Sequence, residues 1–180
     1  EKHGTGRICL ATLKNSQMIM GVDFTDDPEV NALIQDSNNR CFTMYPGEKS
    51  VNVTEHDVSP LKNIIDSDKT MVVFLIDGTW PCAKKMMRLS KNIRALPRVS
   101  FTATHTSIFE IKEQPADFCL STLESIHFFI QECNRRGLME TASAEDNLID
   151  VFKSMINYQI ECAQDPSRSS YRGGRLGYSK

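Results

Sequence analysis

Asp77-Gly78-Thr79-Trp80 sets a carboxylate, a glycine, a hydroxyl and the chain's single tryptophan at one point of the sequence. A carboxylate there can accept a proton or bind a ribose hydroxyl, glycine admits a close approach to the backbone, and an indole offers a flat face. Each residue also has a structural use. Asp77 can bond nearby amides, Thr79 can cap a helix, and Trp80 can wedge a helix against a sheet. Residue types alone leave both sets of readings open. The six cysteines, at 9, 41, 82, 119, 133 and 162, form no CxxC pair and no close Cys/His spacing, so no zinc ligand set is written here. His3, His56, His105 and His127 have no mutual spacing for a metal, and His127 reads as a core histidine on an apolar helix face.

The element that must position Asp77 is the run Met71-Val72-Val73-Phe74-Leu75-Ile76. Six apolar residues without alternation predict a strand covered on both faces, as in the parallel centre of an α/β sheet. In open parallel sheets ligands sit beyond the carboxyl ends of such strands, where Asp77 lies. Pro81 presets a helical first turn, and Cys82, Met86, Leu89 and Ile93 then recur at helical spacing as a buried stripe. Further strands are expected at 7–13, 17–22, 41–45 and 98–102, the first two joined by a turn at Lys14-Asn15-Ser16. Helices are expected from Pro28 through Ile34 and over 61–65. Another starts at the capping box Ser121/Glu124 and is closed by Gly137, and the last is capped by Ser143 and ended by Pro166. This alternation argues for an α/β sandwich.

At 180 residues and 40% hydrophobic, the chain is long enough for one domain with its own core and needs no disulfide scaffold. No apolar run approaches the 18 or so residues of a membrane span, and the first twenty residues lack a secretory signal's pattern. Scattered thiols fit a reducing cytoplasm. The net charge of −2 is unevenly placed: 84–98 and 167–180 hold ten of the 21 basic residues and none of the 23 acidic ones. Such clustering suits a phosphate-rich partner through counterion release, and equally suits a solvated helix face with a soluble tail.

Asp77-Gly78-Thr79-Trp80 resembles the signature of the DTW-domain family, the tRNA-uridine aminocarboxypropyltransferases. Gly4-Thr5-Gly6-Arg7, Tyr45-Pro46-Gly47-Glu48, Ala83-Lys84-Lys85-Met86, Leu96-Pro97-Arg98-Val99 and Leu120-Ser121-Thr122-Leu123-Glu124 follow the family's order, over residues 4 to about 130. The resemblance implies a SPOUT-like α/β fold with a mainly parallel central sheet and a C-terminal trefoil knot. It implies transfer of the 3-amino-3-carboxypropyl group of S-adenosylmethionine to N3 of a tRNA uridine, releasing methylthioadenosine. On that reading 1–165 is the catalytic domain and 166–180 a basic tail.

Uridine N3 is protonated at neutral pH, so a carboxylate beside it is useful, and Asp77 is the candidate base. Thr5, Asp77, Gly78, Thr79, Trp80, Leu120, Ser121 and Thr122 are the candidate cofactor residues: Trp80 as a wall against the sulfonium, Ser121 and Thr122 as partners of the amino-acid part. Arg7, Lys84, Lys85, Arg88 and Lys91 are the candidate RNA contacts, with Lys84, Arg88 and Lys91 on one helix face, and Arg7 is equally placed to bind a ligand carboxylate or an internal acid. The capping box alone accounts for Ser121 and Glu124, and is the better account of Glu124.

The pattern is incomplete. Family members commonly carry a cysteine-rich segment upstream that is absent here; residue 1 is Glu rather than Met, and either the chain was cut behind that segment or the protein does without it, so zinc enters only if a missing segment bears cysteines. In the run Ser107 to Lys112, Phe109 and Lys112 replace the family's tyrosine and arginine, and lysine cannot reproduce a bidentate contact. Three other readings stand beside the transferase: a SPOUT-type RNA methyltransferase, a non-catalytic RNA-binding module, and a redox protein built on Trp80-Pro81-Cys82. Against the last, no second cysteine follows, and Cys82 fits better as a core thiol. The sequence leaves monomer and homodimer open.

Overall fold

The computed structural model describes residues 5–55, 57–64, 68–104, 106–109, 120–141 and 146–164. Four strands, β1 (Asn39–Met44), β2 (Ser50–Asn52), β3 (Thr70–Leu75) and β4 (Arg98–Ser100), form one sheet in the order β2-β4-β1-β3. All three pairings are parallel, and Met44 of β1 stands opposite Leu75 of β3. Parallel neighbours need crossovers, which here are largely helical. The helices are α1 (Thr5–Thr12), α2 (Pro28–Gln35), α3 (Ser59–Ile64), α4 (Trp80–Leu89), α5 (Lys91–Ala95), α6 (Thr122–Arg135) and α7 (Asp146–Gln164). Among the described residues no helix is long and apolar enough to cross a membrane.

The strands' alternating side chains divide the core between two faces. On one face Phe42 and Val99 pack with Leu61 of α3 and with Phe129 and Cys133 of α6. On the other, Tyr45, Phe74 and Ile76 meet Val30 of α2, Met86 and Met87 of α4, and Ile93 of α5. A third cluster behind α6 joins Cys9 of α1 to Leu123, Ile126, Leu148, Phe152 and Ile156. Helix α6 therefore has apolar residues in two cores, and its place fixes that of α1.

Several expectations need correction. The run 7–13 is not a strand but lies mostly in α1, because its apolar residues dock as a helix: Ile8, Cys9 and Leu13 all pack against the α6–α7 cluster. A short apolar run does not distinguish strand from helix by periodicity. The expected hairpin is lost with it, and 17–22 carries neither helix nor strand, leaving Met20 84% exposed. Strand β3 is covered on both faces, yet it lies at the sheet edge rather than the centre, and its residues are only half-buried or exposed.

The helix after Trp80 is broken at Ser90. The buried Ser90 hydroxyl accepts the Phe24 amide at 3.1 Å, and the Thr25 hydroxyl bridges the break by donating to the Leu89 carbonyl and accepting from the Lys91 amide. The buried stripe is accordingly Ala83, Met86, Met87 and Ile93, and Cys82 is exposed, not a core thiol. The expected helices from Pro28 and at 61–65 correspond to α2 and α3, and Gly137 follows α6 at φ 67°, a left-handed position that glycine adopts without cost. Ser143, Pro166, the tail 166–180, Cys119, His3, His56, His105 and residues 110–112 lie outside the described residues.

Candidate active site

Asp77 leaves the carboxyl end of β3 and enters a space bounded by three helix starts. The first is α4: Trp80 opens it, and Thr79 is its N-cap residue but makes no side-chain capping bond. The second is α6, whose first residue, Thr122, donates its hydroxyl to Asp77 Oδ1 at 2.6 Å. The third is α1, where Gly6 is buried so close that a Cβ on it would lie 2.8 Å from Asp77 Oδ2 and 3.4 Å from the Met18 methyl. The first turns of α4 and α6 present amides without intrahelical partners, donors suited to an anion.

The start of α6 is held by a buried carboxylate. Ser121 accepts the Glu124 amide and Glu124 accepts the Ser121 amide, which completes the capping box. Glu124 also accepts the Ser107 hydroxyl on both oxygens, at 3.0 and 2.8 Å, and the Ile108 amide at 2.7 Å. The expected capping role is therefore present and incomplete: Glu124 also pins 107–108 to the turn that carries Thr122. Phe109, where the family has tyrosine, packs edge-on to Phe152 and is used in the core.

Of the expected cofactor residues, Asp77 and Thr122 are brought into contact, with Thr5 buried beside Gly6 at the start of α1. Thr5 also accepts a bond from the buried Cys9 thiol through its carbonyl. Gly78 is not the point of tight approach, since a Cβ there would make ordinary contacts at 3.4 Å to Cys82 and Met86. Trp80 is 45% exposed, which overturns the wedge reading and leaves indole surface open beside Asp77 in sequence. Leu120 and Ser121 are half-buried where the chain enters α6.

Burial, and secondarily the Asp77 charge, pushes the Cys9 thiol up to about 11. Lys84, Lys85 and Arg88 are exposed on α4. Lys91, exposed as well, belongs to α5, so the three-residue face expected of one helix is split at Ser90. Arg7 is exposed one residue beyond Gly6. Sequence alone assigns no role to Gly6 or Met18: the segment Gly4-Thr5-Gly6-Arg7 gives no reason for glycine at position 6, and nothing in the sequence marks Met18.

No solved structure matches the chain. It is 37% identical over 82 residues to tRNA-uridine aminocarboxypropyltransferase 2 of Drosophila melanogaster, an alignment covering 46% of this chain and 30% of that protein. To the proteins of the same name from Macaca fascicularis and Mus musculus it is 31% and 29% identical, over 75% and 79% of this chain and 41% and 44% of theirs. The chain thus spans less than half the length of these relatives. The profile of the DTW domain matches residues 1–160, a range that contains Asp77 and all three helix starts around it, and the chain belongs to the DTW domain family.

Proposed function

We propose that the chain transfers the 3-amino-3-carboxypropyl group from S-adenosylmethionine to N3 of a uridine in tRNA, with Asp77 as the base. The observation that carries this reading is the exposed Asp77 carboxylate, with one oxygen held by the Thr122 hydroxyl and the other against a bare glycine. Oδ2 is the oxygen left to accept the N3 proton, which gives the nitrogen a lone pair to donate. When bound, S-adenosylmethionine supplies the carbon beside its sulfonium: the N3–C bond forms as the C–S bond breaks, and the pair stays on sulfur as neutral methylthioadenosine.

The residues present fit that co-substrate. Gly6 has no side chain to collide with Asp77, so α1 can approach the β3 tip closely without displacing the carboxylate. Trp80 offers an indole face to a cation, worth on the order of 1 kcal/mol at an exposed site. The amides of Thr122 and Leu123 lie in the first turn of α6, where a helix leaves donors without intrahelical partners, suited to a carboxylate. Thr5, Thr79, Leu120 and Ser121 complete the proposed pocket, and Arg7, Lys84, Lys85, Arg88 and Lys91 the RNA surface. The reading also carries a SPOUT-like fold with a C-terminal knot, of which the parallel sheet supports the α/β part, and a cytoplasmic location, supported by the free thiols at Cys9, Cys41, Cys82 and Cys133.

Incubating the protein with S-adenosylmethionine and unmodified tRNA, then weighing the digested nucleosides, tests the proposal. An aminocarboxypropyl-uridine with methylthioadenosine as by-product is expected, and Asp77→Asn should lower the rate at least a hundredfold. A methylated nucleoside with S-adenosylhomocysteine would make it a methyltransferase instead.

A further inference from the structure

Two segments, Tyr45-Pro46-Gly47-Glu48 and Leu96-Pro97-Arg98-Val99, have no part in the site proposed around Asp77. The fold brings them together. The segment between β1 and β2 leaves β1 at the end where Asp77 leaves β3, since Met44 and Leu75 are paired, and it reaches β2 across the start of β4. There an open groove of about 690 Å³ is lined by Glu48, Lys49, Arg94, Leu96, Pro97 and Arg98.

Arg98 is held ready in this groove. Its guanidinium carbon stands 5.8 Å over the Tyr45 ring, and a Cβ at Gly47 would lie 3.2 Å from its Nη1, so the bare glycine gives the fork its room. Among the described residues no carboxylate pairs with Lys49, Arg94 or Arg98. A half-buried, stacked arginine without an acidic partner keeps its planar donor fork for an oxyanion, which it grips bidentately where lysine would not. Arg94 also donates to the Arg88 carbonyl at 3.3 Å, which ties α5 to the end of α4.

From this geometry we infer that the Lys49–Arg94–Arg98 groove is a second contact site for the RNA backbone, continuing the basic surface of α4 around the Ser90 break. The inference rests on the tRNA reading and extends it. RNA, rather than a free anion, is the partner because Glu48 shares the groove: it repels bare phosphate, while a carboxylate beside cations suits a chain that alternates phosphates with 2′-hydroxyl donors.

The test is fluorescence anisotropy of a labelled, unmodified tRNA transcript at several KCl concentrations, with the protein and its K49Q/R94Q/R98Q variant. The variant should bind ten- to a hundredfold more weakly near 0.1 M salt, and its slope of log affinity against log salt should be smaller by about 2. R98K should restore that arginine's share of the slope without restoring full affinity. K49Q/R94Q, which leaves the stacked Arg98 in place, should lose a smaller part of the slope and covers the case in which the triple variant does not fold. Unchanged slopes in the folded variants overturn the inference, as does displacement of tRNA by millimolar inorganic phosphate at constant ionic strength. Nucleoside weighing keeps the two proposals apart: product from the wild type with equal slopes removes the groove alone, whereas reduced slopes without product remove the transfer alone.

Discussion

Gly6 is where chemistry and stability should part. An alanine in a helix is ordinarily worth about 1 kcal/mol more than glycine, so Gly6→Ala taken as a helix substitution should stabilise α1. Its Cβ, however, would meet Asp77 Oδ2 at 2.8 Å, closer than real Cβ atoms come, and the carboxylate must swing away from its bond to Thr122. We expect a melting temperature near that of the wild type with transfer lowered at least tenfold; undiminished transfer would show that the position of Asp77 is not critical. Thr122 gives the complementary test. Thr122→Val keeps the shape and removes the 2.6 Å bond, so kcat should fall, and Thr122→Ser, which restores a hydroxyl, should recover most of it. Valine at full rate would reduce the contact to a structural one.

The start of α6 depends on Glu124, whose 2% exposure and three sets of donors make it the fastener between that helix and 107–108. In Glu124→Gln an amide nitrogen faces donors that need an acceptor, a mismatch that costs about 1–3 kcal/mol when buried. The urea midpoint should fall accordingly, and a midpoint like the wild type's would mean that the donors find water. Sequence reading recovers much of this element, because Ser121 and Glu124 are a local signal three residues apart and β3 is a long apolar run. It cannot recover α1, where Cys9 packs against helices more than a hundred residues later and Gly6 lies against Asp77. The Asp77–Thr122 bond is hidden in the same way, since its two halves are 45 residues apart and neither motif names the other. The Ser90 break escapes notice because its cause, Phe24 and Thr25, lies in an irregular segment distant in sequence.

Across the whole molecule, α6 couples two cores that each enclose a thiol: Cys9 in the cluster with α1 and α7, and Cys133 in the cluster with the sheet. Burial pushes Cys9 up to about 11, with the Asp77 charge adding to it, and Cys133 up to about 12, with Glu132 adding. Both folded values lie above the ordinary 9.0, so the folded state holds these protons more tightly than the unfolded chain does. Stability from this source is complete below about pH 9 and is lost as pH rises through 11 for Cys9 and 12 for Cys133. The urea midpoint should therefore fall between pH 9 and 11, and fall less steeply in Cys9→Ala, where that thiol no longer titrates. Asp77→Asn separates the two causes: because burial is the larger one, the variant should keep most of the decline and lose only the part due to the carboxylate. Equal slopes in the wild type and Cys9→Ala would mean that the thiol titrates as it does in water, and that α1 is not seated on the cluster that places Gly6 against Asp77.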